Sequence, residues 1–156
     1  MPQTLASFPR QYDRQASVDP RMRAMVDNVL IGSPVAGALG VRLASLAPDQ
    51  VELEMPFLPT NVTHGSIVHG GVIATLIDIA GAAAAASGAS ADDVKGGATS
   101  SLSIQYLAPA QGTALRAVAT VVRRGRRQVV TDVSVYAEAP DEGVLVAKAL
   151  MSSAMF

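Results

Sequence analysis

The sequence predicts an α+β fold, a curved antiparallel sheet of about six strands wrapped around one long central helix. Three observations carry that prediction. Residues 71–87 read as a helix apolar on every face, and such a helix belongs in a core. Two strand-like segments precede it and a run of three or four follows, bounded by turn residues. A sheet of that size, curled round a single helix, covers only part of its apolar surface and leaves its own edge strands open. A dimer that joins edges resolves both problems, so a homodimer, or a dimer of dimers, is expected.

Length and composition set the bounds. At 156 residues the chain is long enough for one domain with a real core. A formal charge of -1 argues against nucleic acid as a partner, which would demand a basic face. The absence of cysteine excludes disulfides, thiolate metal sites and cysteine nucleophiles, and suits the cytoplasm. Residues 1–19 are polar and mixed, without the apolar stretch of a secretory signal, and read as a flexible lead-in. Residues 20–156 form the domain. Residues 70–89 are long enough for a membrane span, but Asp78 at their centre, the weak hydrophobicity of alanine and a Gly-Gly start speak against one.

Each element has its local reason. Asp19-Pro20 is a helix start, and Met22, Met25, Val26, Val29 and Leu30 share one helical face until Gly32-Ser33-Pro34 stops it. A short turn or helix over 35–39 leads to Gly40. Strands follow over 41–46 and 51–56, joined by Pro48-Asp49. In the second, Val51, Leu53 and Met55 alternate with Glu52 and Glu54, the mark of a half-buried strand. Residues 61–68 are a loop that ends in His69-Gly70-Gly71. Gly88 closes the central helix, and residues 89–97 are a polar connection. Strands over 98–108, 114–124, 128–137 and 145–153 complete the chain, separated by Pro109-Ala110-Gln111-Gly112, Arg124-Gly125-Arg126 and Pro140-Asp141-Glu142-Gly143.

One residue in the central helix stands apart. A carboxylate inside an apolar helix costs several kcal/mol of desolvation, on the order of the penalty for any unpaired buried ion, unless something pairs with it. No basic residue on the helix offers itself, so Asp78 is the first candidate for chemistry.

His69-Gly70-Gly71, the acid nine residues after that histidine, and Thr99-x-x-Leu102-x-Ile104-x-Tyr106-Leu107-x-Pro109 together resemble the hotdog-fold acyl-CoA thioesterases. The nearest branch is the phenylacetate-degradation (PaaI-like) group, and the resemblance runs from about Gly40 to Ser153. It implies hydrolysis of an acyl-CoA to free acid and CoA, with no metal or redox cofactor. The equivalent acid in those enzymes is a nucleophile or a general base toward water, and either role suits a carboxylate.

The physics of the residues fits this chemistry. A helix beginning near Gly71 leaves backbone N–H groups unpaired at its positive end, and glycine lets a carbonyl approach closely. Gly71 N–H is therefore the expected oxyanion donor. Asp78 lies about 10 Å further along at 1.5 Å per residue, too far to reach a carbonyl held at its own helix N-terminus. Antiparallel helices from two subunits would bring Asp78 of one near Gly71 of the other, so the spacing predicts a site shared across a dimer.

His69 either positions the thioester and its loop or simply caps the helix. Thr99 matches the family's Ser/Thr that projects toward the acid and holds water, or is an ordinary strand residue. The related enzymes often carry Asn or Gln six residues before the histidine, where this chain has Thr63. Asn61 and His64 are the neighbours able to fill that place, and Asn61 is preferred. Arg123, Arg124, Arg126 and Arg127 flank Gly125 at a turn and match the phosphates of CoA, or form a solvated turn. His64, His69 and Asp78 are poorly spaced for a metal. The acyl pocket, lined partly by Ala82 to Ala86, suits medium-chain and aryl groups alike. The competing expectation is a non-catalytic acyl-CoA binding or sensing protein of the same fold, favoured by Thr63.

Overall fold

The computed structural model describes residues 17–138 and 143–156. Most of the lead-in expected over 1–19, and most of the turn expected over 140–143, lie outside them. Helix α1 (Pro20–Met25) starts where the Asp19 carboxylate accepts the Arg21 N–H, with proline in the first turn. It runs straight into a π-helical stretch, Val26–Ile31, which ends at Gly32. Helix α2 (Pro34–Leu39) is capped by Ser33 and terminates at Gly40, whose φ of 70° is left-handed. Strands β1 (Arg42–Ala47) and β2 (Gln50–Met55) follow as a hairpin.

A 3₁₀ turn, Pro59–Asn61, then leads into two very short strands, β3 (Val62–His64) and β4 (Ile67–Val68). The loop expected over 61–68 is thus a small hairpin, too short for any alternation to show in sequence. Helix α3 (Gly70–Ser87) is the long central helix. Strands β5 (Gly97–Tyr106), β6 (Leu115–Arg124), β7 (Gln128–Ala137) and β8 (Val144–Met155) complete the fold.

The main sheet has six strands in the order β1-β2-β6-β7-β8-β5, and every neighbouring pair is antiparallel. Register shifts at Leu43/Ser45, Thr99/Ser101, Val121/Arg123 and Val135/Tyr136 bend it, as bulges do, and curl it round α3. Its inner face presents Val51, Leu53, Leu115, Val133, Val135 and Met151 to Ile73, Leu76, Ile77 and Ala80 of the helix, all of them buried. Small residues let the two layers approach. A Cβ on Gly81 would sit 3.1 Å from Thr131 Oγ1 and would collide with the Met151 sulfur.

The C-terminal end of α3 is tied to the sheet by a buried polar cluster. Asp49, at the β1–β2 turn with a left-handed φ of 65°, donates its N–H to Ser87 Oγ at 3.0 Å. Arg124 donates to Asp49 Oδ1 at 2.7 Å and to the Ala85 carbonyl at 2.7 Å, supplying a cation to the negative end of the helix. Gly88 packs so tightly here that a Cβ would overlap the Asp49 carboxylate and the Arg124 guanidinium.

By length and composition α3 could cross a membrane, yet 61% of it is buried inside this fold. It is not enclosed on every side, as an all-apolar helix would suggest. Gly71, Ala74, Thr75, Asp78 and Ala82 recur at helical spacing and remain partly or fully exposed, a stripe that the sheet does not reach. Asp78 is therefore half-buried rather than enclosed. Alongside this stripe, β5 is exposed over most of both faces and forms one edge of the sheet.

Candidate active site

Two groups of side chains sit on the open stripe, two helical turns apart. The first is at the N-terminus of α3. His69 is the N-cap, and its Nδ1 accepts the Gly71 N–H at 2.8 Å. The His69 N–H donates to the Asn61 carbonyl at 2.8 Å, which folds the 3₁₀ turn against the helix start. That contact places Asn61 beside the cap with its side chain nine-tenths buried, and Asn61 Nδ2 has no hydrogen-bond partner among the described residues. Thr63 and His64 are exposed. Tyr106, at the end of β5, donates its hydroxyl to the Gly70 carbonyl at 2.8 Å. A cavity of about 560 Å³ opens here, lined by Thr63, His64, Ile67, Gly70, Tyr106 and Leu107 among others.

The second group is centred on Asp78. Thr99 Oγ1 donates to Asp78 Oδ1 at 2.6 Å, which fixes one carboxylate oxygen and leaves the other free of that bond. A cavity of about 380 Å³ adjoins the pair, with Met25, Leu30, Ala82, Ala85 and Ala86 in its walls. The N-terminal helix and its π-helical continuation thus help to shape the space beside the acid. Ser153 of β8 also lines it. It is 3% exposed, and its hydroxyl has no partner among the described residues.

The structure brings Asp78 together with Thr99, and Gly71 together with His69 and Asn61. It does not bring the two groups together within the chain, since seven residues of helix hold them about 10 Å apart.

The four arginines divide. Arg124 is largely covered beside Asp49, at 12% and 11% side-chain exposure, and its guanidinium is occupied by the fold. Arg123, Arg126 and Arg127 are exposed and make no ion pair among the described residues. Arg126 and Arg127 border a cavity of about 750 Å³, which shares Met155 with the cavity beside Asp78. Among the described residues, no three histidine, aspartate or glutamate side chains gather as a metal site would need.

Ser153 was not among the residues expected at the site, although the sequence carries a signal for it. Met151 and Met155 lie on the inward register of β8, and Ser153 is the polar residue between them. The anchoring role of Arg124 left no such mark, because Asp49 lies 75 residues away.

Residues 65–144 match the Thioesterase superfamily. The chain is 34% identical over 115 residues to a candidate esterase of Halobacterium salinarum, covering 72% of this chain and 76% of that protein. Among solved structures it is similar to a thioesterase family protein of Silicibacter pomeroyi, with a TM-score of 0.79 and 28% identity. That match covers 86% of this chain and 98% of the other. The PaaI protein from the phenylacetic acid degradation operon of E. coli shares the fold, with a TM-score of 0.76, 22% identity, and coverage of 90% of this chain and 96% of that one.

Proposed function

Because the chain belongs to the thioesterase superfamily, with the hotdog fold, we propose that it hydrolyses an acyl-CoA to a free acid and CoA at a site shared by two protomers. The observation that carries this reading is the Thr99–Asp78 hydrogen bond on the open stripe of α3, a carboxylate oriented by a donor at a surface left for a partner. An antiparallel second α3 against that stripe sets Asp78 of one protomer opposite Gly71 and Asn61 of the other. The long edge strand β5 has neither charge nor proline to block pairing, and it supports the same arrangement.

The thioester carbonyl is received by the N-terminus of α3. Asn61 Nδ2 is a buried donor without a partner among the described residues, and a carbonyl oxygen would satisfy it. It supplies what Thr63 lacks, and so favours catalysis over a purely binding protein. Gly71 N–H already has an acceptor in His69 Nδ1. A neutral carbonyl competes weakly for that donor, whereas an oxyanion accepts about twice as strongly. The donor therefore turns to the substrate as charge develops, which is stabilisation specific to the transition state. Asp78 then activates water or attacks the carbonyl carbon itself.

The cavity beside Asp78 would take the acyl group. Since ~150 Å³ admits a benzene ring, its volume suits an aryl or medium-length chain. Arg126 and Arg127 would grip the phosphates of CoA, and their cavity adjoins that of the acid.

Thiol release from a panel of acyl-CoAs tests this directly, because the chain has no cysteine and a thiol reagent would see only CoA. Asp78→Asn should lower kcat at least about a hundredfold. A wild type that releases no thiol, with acyl-CoA still bound by both proteins, would establish the sensing protein instead.

A further inference from the structure

We infer that Ser153 holds the hydrolytic water for Asp78, which makes the acid a general base; this rests on the thioesterase reading above. Buried hydroxyls in native proteins are hydrogen-bonded, to protein or to ordered water. Ser153 lines the cavity that holds Asp78, and its buried Oγ has no hydrogen-bond partner among the described residues. Its position in the sheet is equally specific. Ser153 on β8 is the direct cross-strand partner of Thr99 on β5, so the two side chains share one face with Cβ atoms about 5 Å apart. That face is turned to α3, because Thr99 bonds Asp78.

The result is a row of acid, threonine hydroxyl and serine hydroxyl along one wall. Thr99 uses its proton on Asp78 Oδ1. Ser153 keeps both a donor and lone pairs for a third party. A water bound by Ser153 and the free Asp78 oxygen has the two or more polar partners that a buried water requires. The rest of the cavity wall is largely apolar; the other polar side chain in it, Lys95, donates its Nζ to the Ala91 carbonyl at 2.8 Å.

Asp78 takes one proton as the water oxygen bonds to the carbonyl carbon. The tetrahedral intermediate expels CoA thiolate as the C–S bond breaks. The proton on Asp78 passes to the thiolate sulfur, leaving the carboxylic acid and CoA.

The test uses Ser153→Ala and Ser153→Thr in the full chain, with kcat and KM measured on several acyl-CoAs. Single-turnover hydrolysis in ¹⁸O-water accompanies them. Ser153→Ala should lose about tenfold in kcat for every acyl group alike, with KM unchanged, and Ser153→Thr should recover most of it. The first-turnover acid should carry the solvent oxygen. Unchanged kcat in Ser153→Ala would overturn the inference. So would a loss confined to acyl groups with polar substituents, which would make Ser153 a reader of the substrate. First-turnover acid whose new oxygen comes from Asp78 would overturn it by showing a covalent route. Each of these results leaves the thioesterase reading intact, whereas a wild type inert toward every thioester removes that reading and this inference together.

Discussion

Arg124 and its neighbours show how a single sequence pattern separates into different roles. Four arginines around one glycine look alike in sequence, and charge alone offers no way to rank them. In the fold, Arg124 turns inward to Asp49 and to the carbonyls at the end of α3, while Arg126 and Arg127 stay exposed at a cavity. Removing Arg124 leaves a buried carboxylate without its cation, so Arg124→Ala should lower unfolding stability by about 3 kcal/mol in denaturant titrations. Arg126→Ala and Arg127→Ala should leave stability unchanged and raise KM for acyl-CoA about tenfold with kcat unaltered. Asp78 was legible because an acid in an apolar helix violates a simple rule. Thr99 was legible only through its spacing in a motif, and Asn61 through its distance from His69. Ser153 broke a weaker rule, period-two alternation, in a strand that also carries other small polar residues.

At the scale of elements, the long ones were plain in sequence and the short ones were not. Period-two alternation and turn residues located the strands of the main sheet, and β7 runs over the residues expected, 128–137. The β3–β4 hairpin has too few residues for a period, and the π-helical stretch after α1 has the same apolar spacing as an ordinary helix. Both nevertheless border the candidate site. The start of α1 also has a pH signature. The Asp19 carboxyl is lowered from 3.8 to about 2, chiefly by the Ala91 N–H and then by the Arg21 N–H, so it ties α1 to the connection before β5. Because the folded value is depressed, this tie contributes fully above about pH 4 and is lost as pH falls through 2. Wild type should therefore be more stable than Asp19→Asn near neutrality, and the difference should vanish toward pH 2 in thermal melts recorded across that range.

For the molecule as a whole, the sequence predicted a dimer from coverage alone, and the fold sharpens that argument by locating the gap. The open stripe of α3 and the exposed edge β5 lie side by side, and both groups of site residues are on or next to them. Under the shared-site reading, Asp78→Asn and Asn61→Ala impair opposite halves of the same site. Mixing the two variants after partial unfolding and refolding should restore about a quarter of wild-type turnover, since half the dimers are then mixed and each has one intact site. Mixtures no more active than their components would mean that each protomer works alone. Under the same reading, the surface that carries the acid also receives the partner. Association and activity then become one equilibrium governed by mass action. The cell's supply of this chain sets how much enzyme exists and also what fraction of it is competent, so output rises more steeply than abundance when protomers are scarce.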